Sequence, residues 1–345
     1  MFAKEKIDQV LESYDDFRIA AICSHSALQI FNGAKQHGIK TIGICTERFR
    51  ELYESFPYAK PDEFIMVDDY SRIPVDELVE KQSILIPHGS LVEYTGDSIE
   101  ELAIPIFGNR GSLVYEKSRT KMFKWMEDSG LRIPRILKPD EIDGPAIVKL
   151  PGAKGGRGYL VVNSPEEYYS KFKESDKTMI QEFIVGVRAY AHYFHSFDGN
   201  AGYKTSYGKV ELMGMDRRME TNADEIARQL SVGANIPISF TVMGNQALVV
   251  RESLLPQYME MGRGVCDSSK ELFGGIHGPF CIETIITEDL DIYAFEISAR
   301  IVAGTNILET PYSLFTHGKD YTTGMRIAEE LKDAFNRKKL AEITY

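Results

Sequence analysis

Two groups of residues in this sequence have types and spacings suited to handling phosphate. In the first, Ile147-Val-Lys-Leu-Pro-Gly-Ala-Lys-Gly-Gly-Arg-Gly158, an apolar strand ends on Lys149 and runs into a loop with four glycines. Glycines lacking a Cβ let backbone N–H groups come close to an anion, and Lys149, Lys154 and Arg157 supply charge for phosphate oxygens. The loop is not a Walker loop, because Gly-Lys-Ser/Thr is absent, nor a Rossmann fingerprint, because Gly-x-Gly-x-x-Gly is absent. The second group is Cys281-Ile-Glu283 followed by Phe295-Glu296-Ile-Ser298-Ala-Arg300. If 282–287 and 292–297 pair as antiparallel strands around a turn at 288–291, Glu283 and Glu296 fall nearly opposite one another. Like charges opposed across strands are destabilising unless a cation bridges them, and a divalent ion carrying nucleotide phosphates is the natural bridge.

Weaker signals surround these two. Met179-Ile-Gln-Glu182-Phe-Ile-Val-Gly186 reads as a strand ending in a carboxylate, with free backbone groups that could read an adenine and Glu182 its amino group or the ribose hydroxyls. Ser24-His25-Ser26 lies between a strand and a helix, where hydroxyls and free helix N–H groups suit a nucleotide phosphate; His25 equally serves as a capping or core histidine. Pro87-His88-Gly89-Ser90 follows another strand end, and Ser90 can bond a carboxamide or ribose, or stand in a plain turn. Asn245 has an amide suited to a heterocycle edge, although Gly244-Asn245 is also an ordinary hairpin turn.

These residues need elements to position them. Short apolar runs at 17–23, 41–45, 64–67, 84–87 and 105–107 alternate with helix-length segments, the first carrying Ala27, Ile30, Phe31 and Ala34 at helical spacing. That rhythm predicts an open parallel sheet with ligands at the carboxyl ends of its strands. A helix is expected over 116–129, stopped by Gly130. Beyond 146 the pattern becomes α+β, with a helix at 165–173 and strands at 187–194, 248–251 and 293–297. An amphipathic helix with a cationic last turn (Arg337, Lys338, Lys339) is expected over 326–340.

The chain has 345 residues, which predicts two or three units. Its formal charge of −11 argues against unspecific binding to nucleic acid, so an anionic ligand needs a local positive site. No apolar run is long enough to cross a bilayer, and Met1 is followed by Phe-Ala-Lys-Glu-Lys rather than a leader pattern, so a cytoplasmic protein is expected. Cys23, Cys45, Cys266 and Cys281 show no Cys-x-x-Cys pair and predict neither zinc nor disulfides.

Taken in order, a leading α/β unit, an early Lys121, a strand lysine with its glycine-rich hairpin, Glu-Phe-Ile-x-Gly and the late Glu…Glu-x-Ser-x-Arg set resemble the ATP-grasp ligases. Ser24-His25-Ser26, Pro87-His88-Gly89-Ser90, Phe107-Gly-Asn109-Arg110, Pro151 to Tyr159, Met215-Asp-Arg-Arg218, Gly244-Asn245, Arg251-Glu-Ser-Leu-Leu-Pro256, Gly278-Pro-Phe280 and Phe295-Glu-Ile-Ser-Ala-Arg300 look like the archaeal formate-dependent 5-formaminoimidazole-4-carboxamide ribonucleotide (FAICAR) synthetases over essentially the whole chain. That resemblance implies a Rossmann-like α/β domain at 1–115 followed by an α+β ATP-grasp module at 116–345. It implies that ATP phosphorylates formate and that the amine of 5-aminoimidazole-4-carboxamide ribonucleotide (AICAR) captures the formyl group, in purine biosynthesis. It implies AICAR contacts at His25, Ser26, Ser90 and Asn245. ATP would be held by Lys121, Lys149, Gly155, Gly156, Arg157, Gly158, Glu182 and Glu220, and Mg²⁺ or Mn²⁺ by Glu283 and Glu296. Formate, with almost no surface to grip, would need a cation such as Arg300 or backbone donors. A homo-oligomer is expected. The same residues also suit a ligase for another small carboxylate, or a nucleotide sensor without turnover. The segment 226–233 lacks a lysine that the family commonly carries.

Overall fold

The computed structural model describes residues 3–149, 159–173, 178–220, 225–233, 241–308 and 310–345. Its first sheet is built from β1 (Arg18–Ile22), β2 (Lys40–Cys45), β3 (Glu63–Met66) and β4 (Ser83–Leu85) in the order β3-β2-β1-β4, all parallel. Residues 19–22 are all fully buried because helices cover both faces. Ile19 and Ala21 enter one core cluster, and Ala20 and Ile22 the other. The run at 105–107 contributes two isolated bridges, Ile106 to Leu85 and Phe107 to Thr344, rather than a strand.

A smaller sheet follows, of β5 (Ile136–Leu137), β6 (Ala146–Lys149), β7 (Tyr159–Val162) and β8 (Met179–Glu182), ordered β5-β8-β6-β7 and antiparallel. The helix expected over 116–129 is two helices, Arg110–Lys117 and Arg119–Asp128. Ser118 breaks them: its backbone is extended, and its Oγ accepts the N–H of Lys121 as a cap.

The central sheet contains β9 (Val187–Ser196), β10 (Tyr203–Thr205), β11 (Gly208–Glu220), β12 (Val242–Ala247), β13 (Gly278–Ile286) and β14 (Ile292–Ser298). β11 pairs with β9 on one edge and with β10 and β12 on the other, and β13 joins β9 to β14. Period-2 alternation divides its two faces. Ala189, Ala191 and Tyr193 point into the core shared with the helix Leu255–Phe273, whereas Tyr190 and His192 point the other way. The expected strand at 248–251 does not form; after Leu248 bonds Met215 the chain turns into that 19-residue helix, closed by Gly274 at φ 91°.

The last long helix runs Thr323–Asn336, so the basic residues lie beyond it: Lys338 is left-handed, and Arg337 and Lys339 pair with Asp198 and Glu342. Its apolar side, Ile327, Ala328 and Leu331, completes the core of the first sheet and crosses the helix Ala27–Gln36 where Gly33 meets Gly324. All four cysteines are free and buried, and no helix among the described residues is long and apolar enough to cross a membrane.

Candidate functional site

The polar face of the central sheet is assembled by strand register. Glu283 lies opposite both Tyr190 on β9 and Glu296 on β14; Asp216 lies opposite Tyr190, and Arg218 opposite Asn245. The pairing of Glu283 with Glu296 across the 288–291 turn is the one the spacing predicts. Arg218 donates from Nη2 to Glu283 Oε1 at 2.6 Å, with its guanidinium 3.9 Å above the Tyr190 ring centre. Glu296 is half-buried; burial and then the charge of Glu283 push its carboxyl up to about 7, with Arg218 and Lys149 opposing. A pair of oxygen donors whose joint ionisation is penalised fits a hard divalent cation, which takes one or two carboxylates and completes its shell with phosphate and water.

Lys149, at the end of β6 in the other sheet, lies within the field of both carboxylates. Burial pushes its ammonium down, Glu296 opposes this, and Arg119 and Arg188 add to it. Glu220 on β11 accepts from Arg188 Nη1 at 3.1 Å. Glu182, opposite Ala146 in the β6–β8 ladder, takes the guanidinium of Arg135 at 3.3 Å and also its backbone N–H. Lys121 is exposed on the helix Arg119–Asp128, its ammonium 5.6 Å from the Tyr115 ring centre. Gly155, Gly156, Arg157 and Gly158, with Lys154, lie outside the described residues.

The second half of the site is the rim of the first sheet. His25 and Ser26 follow β1, and Ser90 follows β4, its parallel neighbour, so all three stand at carboxyl ends. The Ser90 N–H donates to His25 Nε2 at 3.1 Å, which leaves the imidazole proton on Nδ1, facing Ser26 Oγ at 3.2 Å. His25 is surrounded by protein yet open to solvent, as on a cleft wall; burial and then the charge of Arg300 lower its pKa to about 4. The hydroxyls of Ser24 and Ser90 are 2.7 Å apart. Ser26 takes a left-handed conformation, φ 68°, to start the helix Ala27–Gln36.

One bridge, His88 to Ile301, ties this rim to the chain leaving β14. It sets Arg300 beside Gly89, where a Cβ would lie 2.7 Å from His25 Nε2 and 3.5 Å from Arg300 Cζ. Glu116 fixes the same residue from behind, its Oε1 2.9 Å from Arg300 Nη2 and its Oε2 accepting the Ala299 N–H. Arg300, two residues past β14, therefore reaches the histidine rim from the strand that carries Glu296.

Asn245 is half-buried and donates from Nδ2 to Asp216 Oδ2 at 2.7 Å, while Asp216 Oδ1 is 2.7 Å from His192 Nε2. Sequence reasoning singled out neither Asp216 nor His192, nor Glu116, Arg188 or Arg218 as site residues. The available signal was alternation: Asp216 and Arg218 sit two apart on one strand, the spacing that puts both on one face. A separate cleft of about 320 Å³, lined by Glu211, Arg326 and Glu330 among others, shares no residue with this site, and there Arg326 pairs with both carboxylates.

Comparison with known proteins shows the family and the fold. Residues 19–137 match a family described as Protein of unknown function (DUF1246), and 168–345 match a Domain of unknown function (DUF1297). A 5-formaminoimidazole-4-carboxamide-1-(beta)-D-ribofuranosyl 5'-monophosphate synthetase of Methanococcoides burtonii is 48% identical over 96% of each chain. The crystal structure of an IMP biosynthesis protein PurP from Thermococcus kodakaraensis superposes with a TM-score of 0.75 at 29% identity, covering 95% of this chain and 100% of that one. N5-carboxyaminoimidazole synthetase from Staphylococcus aureus, complexed with ADP, shares the fold at a TM-score of 0.58 and 13% identity, over 90% of this chain and 78% of that one. With this ATP-grasp fold, and with identity of that order along nearly its whole length, the chain belongs to the 5-formaminoimidazole-4-carboxamide ribonucleotide synthetase family.

Proposed function

We propose that this protein is an ATP-dependent carbon–nitrogen ligase that formylates AICAR with formate. A formate oxygen attacks the γ-phosphorus of ATP and ADP leaves; the AICAR amine then attacks the carbon of formyl phosphate, phosphate departs with the carbon–oxygen bond pair, and the amine loses a proton to solvent. The products are FAICAR, ADP and phosphate. The observation that carries the reading is the position of Arg300, which leaves the strand of Glu296, is held by Glu116 and lies beside Gly89 and His25 of the rim.

In this reading the rim takes the ribonucleotide. The neutral His25, Ser26 and Ser90 give hydrogen bonds to its phosphate and ribose, and Asn245 meets the heterocycle. Lys149, Lys121, Glu182, Glu220 and the glycine-rich run's Gly155, Gly156, Arg157 and Gly158 hold ATP. Glu283 and Glu296 would hold Mg²⁺, which neutralises phosphate charge when bound. Arg300 anchors formate and orients its oxygen. No residue acts as a nucleophile; the chain's work is positioning and charge compensation in a site that excludes water. We take the enzyme to be a cytoplasmic homo-oligomer.

ADP release from ATP, Mg²⁺ and AICAR, with and without formate, tests the reading. Formate-dependent ADP is expected. ADP released only with another carboxylate would reassign the acid, and no ADP with any would indicate a sensor.

A further inference from the structure

We propose that Asp216 is a positioning residue that locks the amide of Asn245 with its oxygen toward the ligand, so that the site selects a ribonucleotide offering an N–H donor. The proposal rests on the reading above, in which Asn245 meets the heterocycle.

Asp216 is 1% exposed, and a buried carboxylate must find donors. It has two, on opposite oxygens: His192 Nε2 on Oδ1 and the Asn245 amide on Oδ2, each at 2.7 Å. An ionised carboxylate only accepts, so the atom of Asn245 facing it is the NH₂ group and the carbonyl oxygen is turned away from it. An unconstrained asparagine can rotate to present either end to a ligand. Here rotation would set Oδ1 against a buried carboxylate, so the side chain is held to one role, that of acceptor. An exocyclic amine or a carboxamide NH₂ satisfies that acceptor, and of these the amine at the 5-position is the reacting group.

The rest of the chain is arranged to keep this pair in place. His192 is buried, and its Nδ1 has no hydrogen-bond partner among the described residues, so Asp216 is what its ring bonds to. Residue 304 has no side chain; a Cβ there would overlap Asp216 Oδ1 and lie 2.7 Å from His192 Nε2. Glycine at this position gives the pair its room, and the short helix 303–306 closes over it.

The test compares two ligands by titration calorimetry: AICAR and the imidazole-4-carboxamide ribonucleotide lacking the 5-amine. The wild-type protein should bind AICAR about three- to tenfold more tightly, the scale of one hydrogen bond. In Asp216→Asn the ratio should fall to within about twofold, because a neutral amide accepts either orientation of Asn245, while ATP affinity stays within about twofold. His192→Leu should narrow the ratio too, and His192→Gln, which can keep a donor near the Nε2 position, should restore it. A purely structural role would lower the melting temperature and leave the ratio alone. An unchanged ratio in Asp216→Asn, or in His192→Leu should the first variant not fold, overturns the proposal. Equal binding of both ligands by the wild type overturns the selection of the 5-amine and the proposal with it, whereas a wild type that binds neither overturns the reaction itself.

Discussion

Arg218 holds Glu283 at 2.6 Å from above the Tyr190 ring, while Glu296, opposite Glu283 in the ladder, remains the acid whose ionisation is penalised. The two carboxylates are thus unequal: one has its charge met by a guanidinium, and the other gains most from an added cation. Glu296→Gln should lower turnover by about 100-fold, and Glu283→Gln by about tenfold. ADP release at saturating ATP and Mg²⁺ measures both. A larger loss in Glu283→Gln would show that the roles are the reverse.

In the proposed reading, His25 on the rim of the first sheet contacts the ribonucleotide and Lys149 on the small sheet contacts ATP. His25→Ala should weaken AICAR binding by about 10–150-fold, as expected for a lost hydrogen bond to a charged group, with ATP affinity within about twofold. Lys149→Ala should do the opposite. Calorimetric titration of each variant with each ligand decides the matter, and loss of ATP binding alone in His25→Ala would remove the rim as the acceptor site.

His88 is fully buried, donates from Nε2 to the Ile22 carbonyl at 3.1 Å, and has its pKa lowered to about 3, first by burial and then by His25. The unfolded chain takes up that proton below about pH 6.5 and the folded one does not, so the unfolded state binds more protons between pH 6.5 and 3. Stability is therefore full above pH 6.5 and declines as pH falls, by at most about 1.4 kcal/mol per unit for this residue. Urea midpoints from pH 7 to 5 should fall less steeply in His88→Gln than in the wild type; parallel slopes would show that His88 is protonated within the fold.

At the crossing of the helices Ala27–Gln36 and Thr323–Asn336, a Cβ on Gly324 would overlap the backbone carbonyl of Gln29, which cannot move aside as a side-chain tip can. Gly324→Ala should cost about 1–3 kcal/mol by forcing the helices apart. Chemical denaturation would register this, and wild-type stability would mean that the last helix docks more loosely than the contact implies.

The sequence by itself determined what near neighbours in the chain can encode. Alternation within two runs joined by a short turn sufficed to set Glu283 against Glu296, since a period of two fixes which side chains share a face. The βαβ rhythm likewise put His25 and Ser90 at carboxyl ends on one rim. Local pattern failed where distant packing or a cap competed with it: Ser118 splits one helix, and 248–251 leaves the sheet to enter the long helix. Only the tertiary structure decided that Arg300 reaches His25, through the His88–Ile301 bridge and the Glu116 ion pair, and that Asp216 stands behind Asn245. It also decided that the helix Thr323–Asn336 closes the core begun by the helix Ala27–Gln36. These contacts join segments far apart in the chain, and periodicity carries no information about which distant face will meet another. They are chosen by the burial and charge pairing of the whole molecule, which no single segment contains.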